Sequence, residues 1–448
     1  MYWLTRYRLR RYVHRSAWLV PTAAIPAALG VVRLVRRIDE VTGWRGLGYS
    51  PDSAKSLLNA IAPAALTFIV LILSTLLLSI QLASSQLSPR LIRGLLSRRP
   101  VKACLAVFVF TYVFCAAVLG RVEDVVPQLC MIGAIGTTLI SVAAALFLID
   151  YMARELRPVQ MLTHTAGTGR RVIEQVYPEL ITTGNEPNAS TDRELLPEPF
   201  ERVLHAGPSG VFLAMDLAGL MAQAIEADGA IEVIPEVGDF VARGDPLFRV
   251  HPGLSAVTRA RLGASVAFGD ERTADQDPTF VFRILVDVAC KALSPAINDP
   301  TTAVLAIDQI HHLLRQVGLR RLDTGEMRDS AGHLRVVYRT PDWEDFVLLG
   351  VTEIRQYGAR SIQVVRRLHA MLTNLQSMLP RDRAELLVEQ SRLLRAAVQR
   401  NFSDPEDRRR AEIGDMQGVG GSLDKPAGPD PHPQHTFAGT GKDDWPDQ

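Results

Sequence analysis

The chain is poor in cysteine, and the four it has, Cys104, Cys115, Cys130 and Cys290, follow no metal-ligand spacing. That excludes a paired-cysteine zinc site, and in a cytoplasmic domain the Cys290 thiol would stay reduced. Net charge is also missing. Forty-nine basic residues stand against 48 acidic ones, which gives no support to nucleic-acid binding. No glycine-rich loop ends in the lysine and hydroxyl of a phosphate cradle, and GTGR at 167–170 is too short to count. Ser209 in GPSGV lacks the glycine spacing of a nucleophile elbow, has no placed base, and reads as a turn residue. No nucleophile, base and oxyanion-donor set assembles, so an enzyme is the least supported class, and no cofactor or metal is expected.

What is present is apolar length, all of it in the first third. Residues 57–82 carry no charge, more than the roughly 20 residues a helix needs to cross about 30 Å of hydrocarbon. Residues 103–120 and 127–149 are also uncharged and are joined by Arg121, Val122, Glu123 and Asp124. They read as a spanning hairpin. A shorter stretch at 17–33, interrupted by Pro21 and Pro26, makes a fourth span. Its basic flank also fits a cleaved signal peptide, although no small-residue cleavage site with a secreted-type domain follows. The mean hydropathy of +0.09 blends this block with a charged one and describes neither.

Arginines orient the spans. Arg6, Arg8, Arg10, Arg11 and Arg15 precede the first, and Arg90, Arg93, Arg98, Arg99 and Lys102 lie between the second and third. Both loops, and everything after the fourth span, should therefore be cytoplasmic. Arg33, Arg36 and Arg37 count against this, falling in the expected outer loop beside Asp39 and Glu40. The second span closes with Ser79, Gln81, Ser84, Ser85 and Gln86, a polar run that suits a bundle interior, a wet vestibule or the membrane interface. Two readings stand for Gln81, Ser84, Ser85 and Gln86: helix contacts at a normal membrane exit, or a permeation path. No span holds a buried ionisable residue of the proton-relay kind. Gly133 and Gly136 suit close helix packing.

The membrane domain thus covers 1–157. A connector follows at 158–200, its section 182–199 rich in Thr, Asn, Glu and Pro and expected to be flexible. Residues 201–401 read as an α+β domain. Short β-like runs at 202–206 and 211–215 flank Gly207, Pro208, Ser209 and Gly210, a hairpin signal, and Asp216 suits an N-cap. GDFVARGDPL at 238–247 supplies two glycine-aspartate turns. It is similar to the half-barrel of biotinyl and lipoyl carrier domains, which implies a small β-barrel element. Carrier function does not follow, because no lysine occurs between Lys102 and Lys291.

In QDPTFVFRILVDVACKALSPAINDPTTA, at 276–303, Arg283, Asp287 and Lys291 form a charge ladder opposite Val281, Ile284, Leu285 and Val288. Ser294 and Pro295 end this helix, and Asn298 or Asp299 can cap the next, with Pro300 in its first turn. One reading is a tight helix corner. The other is a polar or anion-binding pocket made by Ser294, Asn298 and the amides after Asp299. Asp308, His311 and His312 lack a second ligand cluster, so a metal site there is the weaker alternative to a surface histidine. HLRVVYRTPDWEDFV at 333–347 reads as strand, turn and an Asp342-capped helix. Helical patterning then runs to about Leu379 and from Asp382 to about Gln399, giving an antiparallel helical hairpin. The tail 402–448, rich in Gly, Pro, Asp and His, is expected to be disordered.

Four motifs, SSQLSPR (84–90), ALSPAINDPTTA (292–303), PDWEDF (341–346) and RQYGARS (355–361), lie in that order behind the spans. With them the chain resembles an uncharacterised family of bacterial predicted membrane proteins, a domain of unknown function. The resemblance implies a multi-pass inner-membrane protein and brings no established activity or site residue. The expectation is a homo-oligomeric channel or transport-type protein in the lipid bilayer, regulated by its cytoplasmic domain, with ligand unassigned. A membrane-anchored sensor or scaffold without a pore is the alternative.

Overall fold

The structure, a computed structural model, describes residues 2–16, 18–42, 48–86, 98–122, 126–155, 157–181, 201–251 and 261–421. The flexible stretch expected at 182–199 and the tail beyond 421 lie outside the described residues, as do Arg90, Arg93, Glu123 and Asp124.

After a basic helix α1 (Tyr2–Arg15) come, among the described residues, four helices long and apolar enough to span a membrane: α2 (Leu19–Thr42), α3 (Pro51–Gln86), α4 (Arg99–Leu119) and α5 (Gln128–Glu155). The helical backbone pairs its polar groups within each segment, as lipid requires, interrupted at Pro26 of α2 and Pro63 of α3, which carry no N–H. Helix α4 is the hub. Half of its apolar window is buried against about a fifth in the others, and Phe108, Phe114 and Cys115 are sealed between its neighbours. Gly133 gives α5 its close approach, since a Cβ there would stand 2.8 Å from the Phe114 ring.

Helix α2 does not end near residue 33. It continues to Thr42, so Arg33, Arg36 and Arg37 lie on a helix and not in an outer loop. Arg36 pairs with Glu40 one turn on at 2.7 Å, and the Asp39 carboxylate accepts from the Leu129 amide at 3.2 Å, so the helix end also caps α5. At the opposite end, the Tyr7 hydroxyl donates to Asp275 at 2.8 Å. The N-terminal helix therefore sits on the same side of the bundle as the C-terminal half.

That half contains helix α6 (Pro158–Val176), strands β1 (Glu201–Leu204) and β2 (Gly210–Met215), helix α7 (Leu217–Glu226), and strands β3 (Ile231–Val233), β4 (Phe240–Val241), β5 (Pro246–Val250) and β6 (Val266–Gly269). Helices α8 (Pro278–Ala292) and α9 (Pro300–Gly318) follow, then strands β7 (Glu326–Arg328) and β8 (Leu334–Tyr338). Helices α10 (Trp343–Gly358), α11 (Ile362–Met378), α12 (Arg381–Asn401) and α13 (Pro405–Ala411) complete it. A five-stranded sheet has the order β1-β5-β3-β8-β7 and a three-stranded sheet the order β4-β2-β6.

Several local expectations are corrected. The sheets form no closed barrel. Strands β1 and β2 are not a hairpin: β1 pairs with β5, and β2 pairs with β4 and β6. The His205 backbone exchanges hydrogen bonds with Asp245 and Gly244 at 2.8 Å. Its buried ring lies 2.9 Å from the Pro208 carbonyl, so the Gly-Pro-Ser-Gly segment crosses between sheets. The long helix expected up to Leu379 breaks after Gly358, where a Cβ would overlap Val364 and block the close approach of α10 and α11. The helical hairpin itself is α11 and α12. Residues 402–421 are ordered despite their composition, because the Asp415 carboxylate gathers the amides of Gln417, Gly418 and Gly420 at 2.7–3.1 Å. Arg366 of α11 further anchors this stretch by donating to its Ile413 carbonyl at 3.1 Å.

The main core is one continuous apolar body. It begins between the spans at Ile72, Leu76, Phe108 and Leu148, passes along α6 through Met161, Leu162, Ala166 and Ile173, and ends among Val281, Leu285, Leu313 and Leu368. The segment expected to be a connector thus carries a core helix. Gly169 is a close-packed point on this helix: a Cβ there would lie 2.8 Å from Val281 and 3.2 Å from Leu313. Gly169→Val should lower the Tm of the purified chain by several degrees, as overpacking costs about 1–3 kcal/mol. Gly136→Ala, where a Cβ meets nothing within 4 Å, should leave it unchanged or slightly raised, measured by the same thermal unfolding.

Candidate functional site

Strands β3 and β8 are the parallel pair of the larger sheet, with Val233 opposite Tyr338. Ligand sites of α/β folds lie beyond the C-terminal ends of such strands, and here polar groups from the ends of five elements come within electrostatic reach of one another. Past β3 comes Glu236, and past β8 come Arg339 and Thr340. Asp277 caps α8 by accepting from Phe280 at 3.0 Å, and Asp342 and Asp345 form a capping box on α10. Tyr177, from the end of α6, is buried edge-on to Phe346. Its hydroxyl lies beside Thr340 without reaching hydrogen-bond geometry, with Asp323, Glu236 and Asp277 in electrostatic reach.

Local turns fix these positions. Asp239 accepts from the Glu236 amide at 2.8 Å, and Gly238 has φ +106° with the Arg272 guanidinium where a Cβ would project. Arg272 in turn holds Asp277 and donates to Thr279 at 2.9 Å. Tyr338 donates to Asp323. Each neighbouring acid is therefore engaged, and Glu236 stands among them. Burial, with Asp239, Asp345 and Asp277 nearby, holds its carboxyl above the ordinary 4.5, opposed by Arg339. A carboxyl so placed accepts or holds a proton closer to neutral pH than a free one. Among the described residues no group of three or more His, Cys, Asp or Glu side chains could hold a metal ion.

Sequence reasoning did not single out Glu236, Tyr177 or Arg339. The available signal was that the motifs containing Asp277 and Asp342 are both helix starts.

The residues it did single out fall elsewhere. Ser294 spends its hydroxyl on the Lys291 carbonyl at 2.7 Å, and Asn298 is exposed with φ +47°. Asp299 accepts from the Thr302 amide at 3.0 Å and from its hydroxyl at 2.5 Å. These contacts account for the corner internally. Gln81 is exposed on α3; the side chains of Ser84, Ser85 and Gln86 lie outside the described residues. Arg367 bridges Asp308 at 2.6 Å and His311 at 3.0 Å. Burial pushes the Cys290 thiol up to about 12, which makes it a poor nucleophile.

Four spanning helices carrying an α+β unit define a multi-pass membrane protein. Residues 14–374 match the family described as Predicted membrane protein (DUF2254), and the chain belongs to that family. Similar curated proteins include Uncharacterized protein Rv1290c of Mycobacterium tuberculosis and Uncharacterized protein Mb1321c of Mycobacterium bovis. Each is 27% identical over 419 residues, covering 89% of this chain and 79% of the relative. No solved structure matches.

The raised Glu236 carboxyl binds its proton more tightly in the folded chain than in the unfolded one. Its contribution to stability is complete below about pH 4.5 and is lost as pH rises through the folded value. Glu236→Gln should therefore raise Tm at pH 7 and lose that advantage as pH falls toward the unfolded carboxyl value, read from thermal unfolding across pH. Asp299→Ala removes a helix cap and should cost about 1 kcal/mol, whereas Ser294→Ala, which frees no buried amide, should cost less in the same assay.

Proposed function

We propose that this chain is a membrane-anchored sensor or scaffold whose α+β unit and spans act as one body, with no pore through a single protomer. The observation that carries the reading is the unbroken apolar core from Leu76 and Phe108 through α6 to Val281 and Leu313. Within the bundle, the buried hydroxyls of Thr111 and Ser141 satisfy each other at 2.8 Å, a dry helix contact rather than a wet path. We place the N-terminus and the α+β unit in the cytoplasm of the inner membrane. The arginines of α1, with Arg98, Arg99 and Lys102, support that orientation. Glu236 and its polar surroundings supply the responsive element.

A second reading is an oligomeric channel with its pore between chains. Gln81, exposed on α3 one turn after the exposed Leu77 and Leu78, favours it, because a second copy covering that face would satisfy the amide.

Hydrogen exchange of the full chain in lipid nanodiscs tests the coupling. Amides of α6 should exchange as slowly as those of α8 and α9; fast exchange confined to α6 would uncouple the two halves and sink the first reading. In liposomes the protein should pass no ions. Flux that falls in Gln81→Leu at matched insertion would establish the channel instead.

A further inference from the structure

At the end of the bundle remote from the α+β unit, a cleft of about 460 Å³ opens between α2 and the end of α4. Arg33, Arg36, Arg37 and Glu40 reach it from α2, Arg121 from just beyond α4, and Leu34 lines its apolar edge. The spacing of three and four residues places the α2 group on one helical face. Arg36 is paired with Glu40 at 2.7 Å, and Arg121 donates to the Ala117 carbonyl at 2.9 Å. Arg33 and Arg37 have no carboxylate partner among the described residues. The nearby Asp39 accepts from the Leu129 amide through one carboxylate oxygen. Among the described residues that line the cleft, four guanidinium groups thus stand with the single carboxylate of Glu40.

Depth identifies the anion. Helix α2 starts at Leu19, so at 1.5 Å per residue Arg33 and Arg37 lie about 21 and 27 Å along it. Counted from Leu19, Arg37 is close to the far edge of about 30 Å of hydrocarbon and Arg33 about 9 Å short of it, a distance over which a long arginine side chain can snorkel toward the headgroups. Both ends of the bundle carry basic clusters, and only one can face the cytoplasm. Whichever does, the other runs against the usual distribution of positive charge and calls for a compensating anion. Guanidinium groups bind phosphate oxygens in bidentate fashion, and exposed Leu34 offers apolar surface beside them.

We propose that this cleft binds the phosphate of an anionic phospholipid headgroup. The test uses the full-length chain purified in detergent, with phosphatidylglycerol or phosphatidylcholine added as mixed micelles and inorganic phosphate as a parallel arm. Retained lipid is read by native mass spectrometry and stabilisation by thermal unfolding.

Phosphatidylglycerol should be retained and should raise Tm, whereas phosphatidylcholine and inorganic phosphate should not. Arg33→Gln/Arg37→Gln should weaken retention about ten-fold. Arg8→Gln/Arg10→Gln, which removes the same charge at the other end, should leave it unchanged, and Glu40→Gln should strengthen it. The Glu40 variant keeps the proposal falsifiable should the double variant misfold. Equal retention of both lipids, indifference to the cleft variants, or a response to inorganic phosphate alone would overturn the assignment.

Discussion

Helix α6 passes through both halves of the molecule as part of one apolar body, and the arrangement of everything after the membrane depends on that contact. Arg157 takes an extended conformation before Pro158, which interrupts the helical path leaving α5, since the residue before a proline avoids the helical region. The new helix then buries Met161, Leu162, Ala166 and Ile173 in the core that also holds Leu148 and Met152 of the last span and Leu313 of α9. Such cores are close-packed and transmit displacement rather than absorb it. The Arg98–Glu155 ion pair ties the start of α4 to the end of α5, next to the point where α6 begins.

A second organising feature is the use of aspartate at helix starts. Asp216, Asp277, Asp299, Asp342 and Asp404 each accept at least one first-turn amide. Carboxylates suit that position because they meet both free amides and the positive end of the helix dipole. Where two such starts come near the ends of parallel strands, their charges add to a common field. Glu236 has no helix of its own to cap, and its ionisation is disfavoured first by burial and then by Asp239, with Asp345 and Asp277 from the two helix starts adding to the effect. The polar junction is thus a consequence of topology acting on residues whose individual duties are structural.

The same distinction explains which sequence signals could be read locally. Asp216 and Asp342 were legible as caps because capping is decided within four residues. The Gly238 and Gly244 turns were legible because both adopt positive φ. The Gly-Pro-Ser-Gly segment looked like a hairpin because a hairpin and a crossover between sheets use the same turn residues, and only the pairing of His205 with Asp245 separates them. Residues 402–421 looked disordered because one carboxylate serving three amides leaves no trace in composition. The break after Gly358 was hidden for a related reason: one glycine inside an apolar pattern is compatible with a continuing helix, and the close approach of Val364 is seen only in the packing.

By itself, the sequence determined four membrane-spanning helices, the alternation of strands and capped helices behind them, and membership of a family recognisable by its ordered motifs. Uncharged apolar length has one solution in lipid, and first-turn capping has few. Tertiary structure alone decided that the expected connector carries a core helix, that α2 carries its arginines to the far end of the bundle, and that Tyr177 and Arg339 each come within electrostatic reach of Glu236. Those residues are distant in the chain, and their proximity is set by which apolar faces bury each other, a choice that spacing along one segment does not encode.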